Sequence, residues 1–298
     1  MSLAKSTASS PPLRPTLIGG VAVLLWSLLA LFTTWAGGIP PFQLVAMTFA
    51  VAFLASLLML ALRGRAAFAR LRQPPAVWAL GVAGLFGYHF FYFVALAKAP
   101  AVEASLIAYL WPLLIVLFSA LLPGEQLRWF HLVGAAMGLA GAALLVTGGG
   151  AIAFKAEFAL GYLAALACAL TWSAYSVANR RFGQVPTDVV GGFCGFVALL
   201  GLLCHGLLET TVVPNPLQAL AVLLLGLGPV GAAFFAWDHG TKHGNIQALG
   251  AFSYAAPLIS TGILILFGRA EATWVVGLAC ALIAGGAVLA SAELLRRS

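Results

Sequence analysis

Ten apolar runs of about twenty residues fill most of this chain, and short connections rich in glycine and proline separate them. A helix needs about 20 apolar residues to cross the hydrocarbon core of a bilayer. The runs lack the alternation of polar and apolar residues that is typical of barrel strands. The sequence therefore predicts an all-α integral membrane protein with ten transmembrane helices. The predicted spans are roughly 15–35, 41–62, 75–97, 101–122, 130–147, 158–179, 187–208, 216–237, 246–267 and 272–292.

The scarcity of charge argues against a soluble fold. Only 8% of the 298 residues are charged, whereas soluble domains carry about 25%. The net charge of +7 does not indicate nucleic-acid binding, because the basic residues lie in short gaps between the apolar runs. The expected partners are membrane lipid and a small-molecule substrate, with no nucleic acid, and the chain is expected to be a monomer.

The distribution of lysine and arginine predicts the orientation of the helices. With a cytoplasmic N-terminal tail, residues 1–14, and ten alternating helices, 12 basic residues fall inside and 3 outside. Such a bias is the positive-inside pattern, so both termini are predicted to be cytoplasmic. The inside residues are Lys5, Arg14, Arg63, Arg65, Arg70, Arg72, Arg128, Arg180, Arg181, Lys242, Arg296 and Arg297, and the outside residues are Lys98, Lys155 and Arg269.

Several residues recur in order at an offset of 143 to 146 positions. They are Trp26 and Trp172, Pro40 and Pro186, Tyr109 and Tyr254, Pro112 and Pro257, and Gly134 and Gly277. The offset divides the chain into five-helix halves, residues 15–150 and 151–298, the second ending in a short cytoplasmic tail. Five is an odd number, so the halves would have opposite orientations. Inverted repeats are common in secondary transporters, whose substrate site lies near the midplane between the repeats.

Aromatic residues lie near the middle of several predicted spans, although Trp and Tyr normally concentrate at membrane interfaces. One interpretation is a cavity lined with rings that suits a flat or amphipathic solute. The alternative is that they are packing residues whose polar tips bond to neighbouring helices. The candidate substrate-binding residues are Trp26, Tyr88, His89, Tyr92, Tyr109, Trp111, Trp172 and Tyr254.

His89 is the ionisable residue nearest the membrane centre, and such groups are candidates for function. It could contact substrate or carry a proton, or it could be a neutral ring bonded to a carbonyl. Pro112, Pro229 and Pro257 lie inside spans, where proline removes a backbone donor and bends the helix. Each is a candidate for gating or for exposing a carbonyl to a ligand, and a static kink is the alternative.

Glycines form two patterns that resemble known motifs. Gly226, Gly228 and Gly231 match the dinucleotide fingerprint literally, but they lie within an apolar span and indicate close helix packing. Gly134 and Gly138 form a GxxxG pair, which fits either internal packing or dimerisation.

The sequence contains no recognisable catalytic constellation, metal motif or nucleotide-binding motif, so neither a cofactor nor an enzyme is predicted. The four cysteines lie in apolar runs and make no CxxC pair. Asp238, Lys242 and His243 cluster after the eighth span. They could gate the cytoplasmic mouth, but a solvated loop is the simpler interpretation.

Two stretches carry a resemblance to a known family. Residues 100–148 combine a polar helix start, Pro112, Pro123-Gly124-Glu125 and a glycine-rich fifth run. This stretch resembles an EamA repeat of the drug/metabolite transporter superfamily. Residues 235–245, followed by Ser253-Tyr254 and Pro257, are similar to the aromatic amino-acid exporter branch.

The resemblance implies a basket of ten helices around a central cavity and export of aromatic amino acids, with flat cationic drugs as further solutes. Ala256 stands where the first half has Trp111, so an asymmetric cavity is expected. The family's substrate positions fall on Tyr88, Tyr92, Tyr109, Trp111 and Trp172.

The expected function is therefore amino-acid export across a bacterial inner membrane by alternating access. One alternative is efflux of cationic or aromatic drugs. An alternative of another class is a lipid-modifying membrane enzyme, which would have to use the group around Asp238 and His243. The sequence leaves facilitated and proton-coupled export both open.

Overall fold

The computed structural model describes residues 13–268 and 271–290, and within these residues the regular elements are all helices. The all-α prediction is confirmed for this part of the chain. Most of the predicted tail 1–14 lies outside the described residues. The basic residues Lys5, Arg269, Arg296 and Arg297 lie outside them as well.

Ten helical segments follow one another through the described residues. They are α1 Leu13–Trp35, α2 Pro41–Leu62, α3 Pro75–Lys98, α4 Ala101–Ser119, α5 Trp129–Thr147, α6 Ala156–Phe182, α7 Val189–Leu208, α8 Pro216–His243, α9 Ile246–Leu266 and α10 Trp274–Ala290. In this part of the chain, α1 to α9 are long and apolar enough to cross a membrane, and α10 is shorter, with 17 residues. The bounds agree with the predicted runs to within a few residues, except that α8 continues to residue 243 instead of 237.

The outer surface of the bundle is apolar. Large side chains are left uncovered on several helices, among them Leu58 at 61% exposure, Leu199 at 64% and Leu266 at 85%. Soluble monomers rarely leave extended apolar surface in contact with water. The surface therefore fits contact with lipid.

The helix packing follows the internal repeat. The contact between α1 and α8 has its repeat counterpart in the contact between α6 and α3. The contact between α4 and α6 likewise has its counterpart in the contact between α9 and α1. Two further prominent pairs, α2 with α7 and α5 with α10, each join a helix to its own counterpart. Exchanging the two five-helix sets leaves this pattern unchanged, as a two-fold relation between them requires.

Ion pairs gather several connections at one end of the bundle, which we call the charged end. Asp188 binds Arg63 at 2.7 Å and Arg70 at 2.8 Å, which joins the α2–α3 and α6–α7 connections. Glu125 binds Arg180 at 2.9 Å and brings the α4–α5 connection to the same end. Successive helices therefore alternate in direction.

The opposite end joins the α1–α2 and α7–α8 connections. Glu209 accepts hydrogen bonds from the backbone N–H groups of Phe42 and Gln43 at the start of α2. A carboxylate at this position satisfies donors that have no partner within the helix. The Gln218 side chain donates to the Gly37 carbonyl at 2.7 Å.

Three helices are interrupted near the middle of the bundle, and the first of these breaks is in α1 at residues 27–28. The α4 helix breaks at residues 109–110 and α9 breaks at residues 253–254, each shortly before a proline, Pro112 and Pro257 respectively. Proline contributes no N–H to the helical ladder, which favours a break in this region. Pro229 lies in a π-helical segment of α8, Gly226–Ala232.

The GxxxG pair makes contacts inside the protein. A Cβ at Gly134 would lie 2.5 Å from the Gly286 carbonyl oxygen of α10, and one at Gly138 would meet the Tyr254 ring of α9. Both glycines therefore allow close helix contact within one chain. In the same way, a Cβ at Gly226 would lie 2.8 Å from the Thr48 carbonyl oxygen of α2, as expected for a packing glycine.

Gly134 and its repeat counterpart Gly277 offer a matched test of this packing. Gly134→Ala should lower the melting temperature, because the methyl group meets backbone of α10. Gly277→Ala should leave it unchanged or raise it, because a Cβ there meets nothing within 4 Å and alanine favours a helix by up to about 1 kcal/mol. Thermal unfolding of both purified variants measures the difference. Equal melting temperatures would contradict the close α5–α10 contact.

Candidate functional site

Four indole rings from four helices meet in the interior. Trp26 of α1 lies 5.0 Å from Trp237 of α8 and 5.8 Å from Trp172 of α6, measured between ring centroids. Trp111 of α4 lies 5.9 Å from Trp237 and 6.1 Å from Trp26. Most of these pairs are edge-to-face or tilted, which aromatic rings prefer over direct stacking. We call Trp26, Trp111, Trp172 and Trp237 the tryptophan cluster.

Two aromatic residues of α8 belong to this group and were missed by sequence reasoning. Trp237 is fully buried and donates to the Ser176 hydroxyl at 3.0 Å. Phe234 lies 5.7 Å from Trp172. The internal repeat could have identified both residues. Trp237 follows Tyr92, and Phe234 follows His89, at an offset of 145 positions, which is also the offset between Tyr109 and Tyr254.

Tyrosines of α3 form a wall beside the cluster. Tyr88 and Tyr92 lie with their rings nearly parallel, 6.1 Å apart and inclined by 6°. Tyr88 also lies 5.5 Å from Trp172. The Tyr92 hydroxyl is hydrogen bonded to the Ser105 hydroxyl of α4 at 3.3 Å. Tyr109 of α4 is partly exposed.

Access to this group is one-sided. Trp237 is 0% exposed, Trp172 3% and Trp111 8%, whereas Tyr88 and Tyr92 are partly exposed. The α3 helix runs from the charged end towards Lys98 at the opposite end, so the accessible tyrosines lie towards the opposite end. Trp26 is partly exposed as well, so the buried indoles towards the charged end are those of Trp111, Trp172 and Trp237.

His89 lies beside the same wall and bonds to its own helix. Its Nδ1 donates to the Leu85 carbonyl at 2.7 Å. The ring is surrounded by Phe49 at 5.2 Å, Tyr88 at 5.3 Å and Phe234 at 6.4 Å. Its Nε2 makes no hydrogen bond to any residue that the structure describes, so this nitrogen can serve a solute or water.

The carbonyl at Pro229 has a partner within the protein. The Trp26 indole N–H donates to it at 3.1 Å, across from α1 to the π-helical part of α8. The Ser173 hydroxyl donates to the Trp111 carbonyl at 2.9 Å. Polar groups at this depth must find such partners because no bulk water reaches them. These bonds fix the positions of Trp26 and Trp111.

Tyr254 lies apart from the aromatic group. Its hydroxyl donates to the Tyr109 carbonyl at 3.1 Å and accepts from the Leu113 N–H at 3.2 Å. Those two backbone groups would bond to each other in an unbroken helix. Tyr254 is 0% exposed, and its hydroxyl bridges the break in α4.

A buried polar network lies between the tryptophan cluster and the charged end. Asp238 is 0% exposed and accepts from Asn179 at 2.9 Å, Thr187 at 2.7 Å and Lys242 at 2.9 Å. The Lys242 ammonium also donates to the Val185 carbonyl at 3.1 Å. We call Asn179, Thr187, Asp238 and Lys242 the polar plug.

The prediction that Asp238 and Lys242 lie in a solvated loop is wrong. The α8 helix continues to His243, and its last turns are covered by residues that follow α6. Burial of Asp238 and Lys242 is tolerated because their charges neutralise each other and their remaining polar atoms have hydrogen-bond partners. Within residues 13–268 and 271–290, no three His, Cys, Asp or Glu side chains assemble as a metal site.

Comparison with known proteins places this geometry in context. Residues 15–147 and 159–292 each match the EamA-like transporter family. A protein of Ancylobacter novellus called aromatic amino acid exporter YddG is 54% identical over 93% of this chain and 96% of its own. The Escherichia coli protein of the same name is 26% identical, over 93% of this chain and 96% of its own.

A solved crystal structure superposes on this chain with a TM-score of 0.91 at 53% identity, covering 96% of this chain and 99% of the other. The resemblance found in the sequence is thereby confirmed. Family membership favours a transporter over the lipid-modifying enzyme. With the apolar spans, it indicates a multi-pass protein of the bacterial inner membrane. The chain belongs to the EamA-like transporter family.

Proposed function

We propose that this protein exports aromatic amino acids and related flat amphipathic solutes by alternating access. The observation that carries the proposal is the aromatic group, which is accessible on the tyrosine side and has buried indoles towards the charged end. Relatives called aromatic amino acid exporters support the same solute class.

The proposed topology has ten transmembrane helices in two inverted halves, residues 15–150 and 151–298, with both termini in the cytoplasm. The symmetric helix pairing and the two family matches support the halves. The excess of basic residues supports a cytoplasmic charged end. In this topology the tyrosine side faces the periplasm.

In this proposal the tyrosines and indoles hold the solute. Tyr88, Tyr92 and Tyr109 contact it first, at the accessible side, and Trp26, Trp111 and Trp172 form the floor beneath it. Each aromatic pair contributes about 0.5–1.5 kcal/mol beyond area burial. A few such contacts give weak, reversible binding, which turnover requires.

His89 has a supporting role in this proposal. Its Nδ1 is committed to the Leu85 carbonyl, which leaves Nε2 to accept a hydrogen bond from the amino group of a solute. Tyr254 does not touch the solute and acts by holding the two parts of α4. Pro112, Pro257 and Pro229 supply the irregular backbone at which α4, α9 and α8 bend.

Export requires the charged end to open in turn. The α8 segment that carries Trp237 and Asp238 would move away from α6, which separates Asp238 from Asn179 and Thr187. Lys242 lies on α8 with Asp238, so their ion pair can travel with the helix. The polar plug then exchanges internal partners for cytoplasmic water, which makes opening reversible.

Uptake into proteoliposomes tests the site directly. Trp111→Ala should weaken apparent affinity for labelled phenylalanine or tryptophan by about 2- to 12-fold, the factor for one aromatic pair. Trp129→Ala is the matched control, because Trp129 is 68% exposed at the surface. The assay measures initial uptake rates against solute concentration.

Competition in the same assay separates the two solute classes. Unlabelled aromatic amino acids should compete more strongly than aliphatic ones. Stronger competition by flat quaternary cations would favour drug efflux, for which the indole faces offer cation–π contacts. Unchanged affinity in Trp111→Ala would contradict the proposed site.

Tyr254→Phe tests the bridging of α4. The variant removes one hydroxyl and leaves the Leu113 N–H without its partner, which should cost about 1–3 kcal/mol of stability. We expect a lower melting temperature and slower transport with the order of competing solutes unchanged. Tyr162→Phe is the control, since its hydroxyl bonds an exposed connection at Lys155. An altered competitor order would instead place Tyr254 in contact with the solute.

A further inference from the structure

A cavity lies on the outside of the bundle, away from the tryptophan cluster. It is a groove of about 630 Å³ between α2 and α7. Its lining is apolar and includes Phe53, Leu57, Trp78, Phe196 and Leu199. Phe196 is 52% exposed and Leu199 64% exposed, so the groove opens sideways onto the lipid-facing surface.

The groove has the length of one bilayer leaflet. On α2 its lining extends from Ala46 to Leu57, which is about 16 Å along a helix at 1.5 Å per residue. Half of the hydrocarbon core is about 15 Å. On α7, Gly192 and Gly195 line the groove, and their lack of side chains lets the Trp78 and Phe53 rings lie close to this helix. An extended acyl chain fits this shape.

One end of the groove carries positive charge. Leu71 lines the groove and ends the 3-10 segment Arg65–Leu71, which connects α2 to α3 at the charged end. The stretch 63–73 contains four arginines and no acidic residue. Asp188 binds Arg63 and Arg70. The four arginines of this stretch and the Asp188 carboxylate together therefore carry a net charge of +3.

The remaining arginines are exposed on the same connection, whose Leu71 lines the groove. Arg65 and Arg72 make no hydrogen bond or ion pair with any residue in the described parts of the chain, and both side chains are exposed. Phe68, 38% exposed on the same segment, adds an apolar side chain at this level. Arginine binds phosphate groups through parallel N–H donors.

We propose that this groove is a binding site for an anionic phospholipid. One acyl chain lies between α2 and α7, and the phosphate and headgroup contact Arg65 and Arg72. Basic clusters at the cytoplasmic ends of membrane helices attract anionic headgroups. The inference is independent of the exported solute; only the assignment to the cytoplasmic leaflet depends on the proposed orientation.

A bound lipid here would stabilise the contact between the two halves. The α2 and α7 helices are repeat counterparts, and their contact includes the close approach of Gly201 to backbone atoms of Ala46. A chain lying along both helices bridges them on the outside. The lipid therefore acts on the pair of helices that joins the halves, remote from the solute.

Native mass spectrometry of the purified full-length protein tests the site. The delipidated protein is mixed with equal amounts of dioleoyl phosphatidylglycerol and dioleoyl phosphatidylcholine, and the retained lipids are counted. The wild-type protein should retain phosphatidylglycerol preferentially. Arg65→Gln/Arg72→Gln should reduce that preference by about fivefold or more, since each basic residue near an anionic surface contributes roughly that factor.

The control double variant Arg14→Gln/Arg181→Gln removes the same charge elsewhere and should keep the preference. Both control arginines are exposed and lie outside the 63–73 cluster. Equal retention of the two lipids by the wild type would overturn the proposal. An equal loss in both double variants would also overturn it, because binding would then reflect total charge alone.

A second pair of variants tests the groove itself. Ala198→Phe fills the groove and should reduce retention of phosphatidylglycerol, whereas Gly206→Phe adds a ring on the same helix where nothing lies within 4 Å. Unchanged solute uptake shows that both variants are folded. A dimer that Ala198→Phe dissociates without changing lipid retention would overturn the proposal in favour of a second copy of the chain.

Discussion

The structure depends on one constraint, that polar groups inside a bilayer must find partners within the protein. In the described residues, every buried side-chain nitrogen and oxygen has one. The Trp26 indole bonds to the Pro229 carbonyl in the π-helical part of α8, and the Tyr254 hydroxyl bridges the break in α4. The irregular backbone of α8 and of α4 is therefore satisfied in part by side chains from the other half of the chain.

The same bonds connect the symmetry of the fold to the asymmetry of the site. Tyr109 and Tyr254 are repeat counterparts, yet only Tyr254 is fully buried, with its hydroxyl between backbone groups of α4. Tyr109 is partly exposed beside the aromatic group. One half thus supplies a bridging side chain at the position where the other supplies a partly exposed ring. A two-fold framework carries a one-sided site in this way.

The buried charges at the charged end have a role in the proposed alternating access. Asp238 and Lys242 neutralise each other on one helix, and their other partners lie in the last turn of α6 and on the residues that follow it. Replacing such a pair by apolar residues is often neutral or stabilising, so stability alone does not explain it. Polar contacts between segments can be exchanged for water when the segments separate. If the same contact area were apolar, water could not replace the contacts that are lost when the segments separate.

Much of the fold could be read from the sequence, because spans follow from local hydropathy. The mid-span position of Tyr88, Trp111 and Trp172 likewise needed no structure, although their role as solute contacts stays a prediction. Trp237 and Phe234 were missed because their neighbours come from distant helices, although the repeat offset pointed to them. The burial of Asp238 and Lys242 could not be foreseen, since it depends on how the residues after α6 cover the end of α8.

Photo-crosslinking gives the most direct test of the central claim that solute binds at the aromatic group. Purified protein would be illuminated with a photoreactive phenylalanine analogue, with and without excess tryptophan, and the labelled peptides identified by mass spectrometry. Labelling of α3, α4 and α6 near Tyr88, Trp111 and Trp172, suppressed by tryptophan, is the expected result. Tryptophan-sensitive labelling confined to the outer groove between α2 and α7, or to the loops, would contradict the claim.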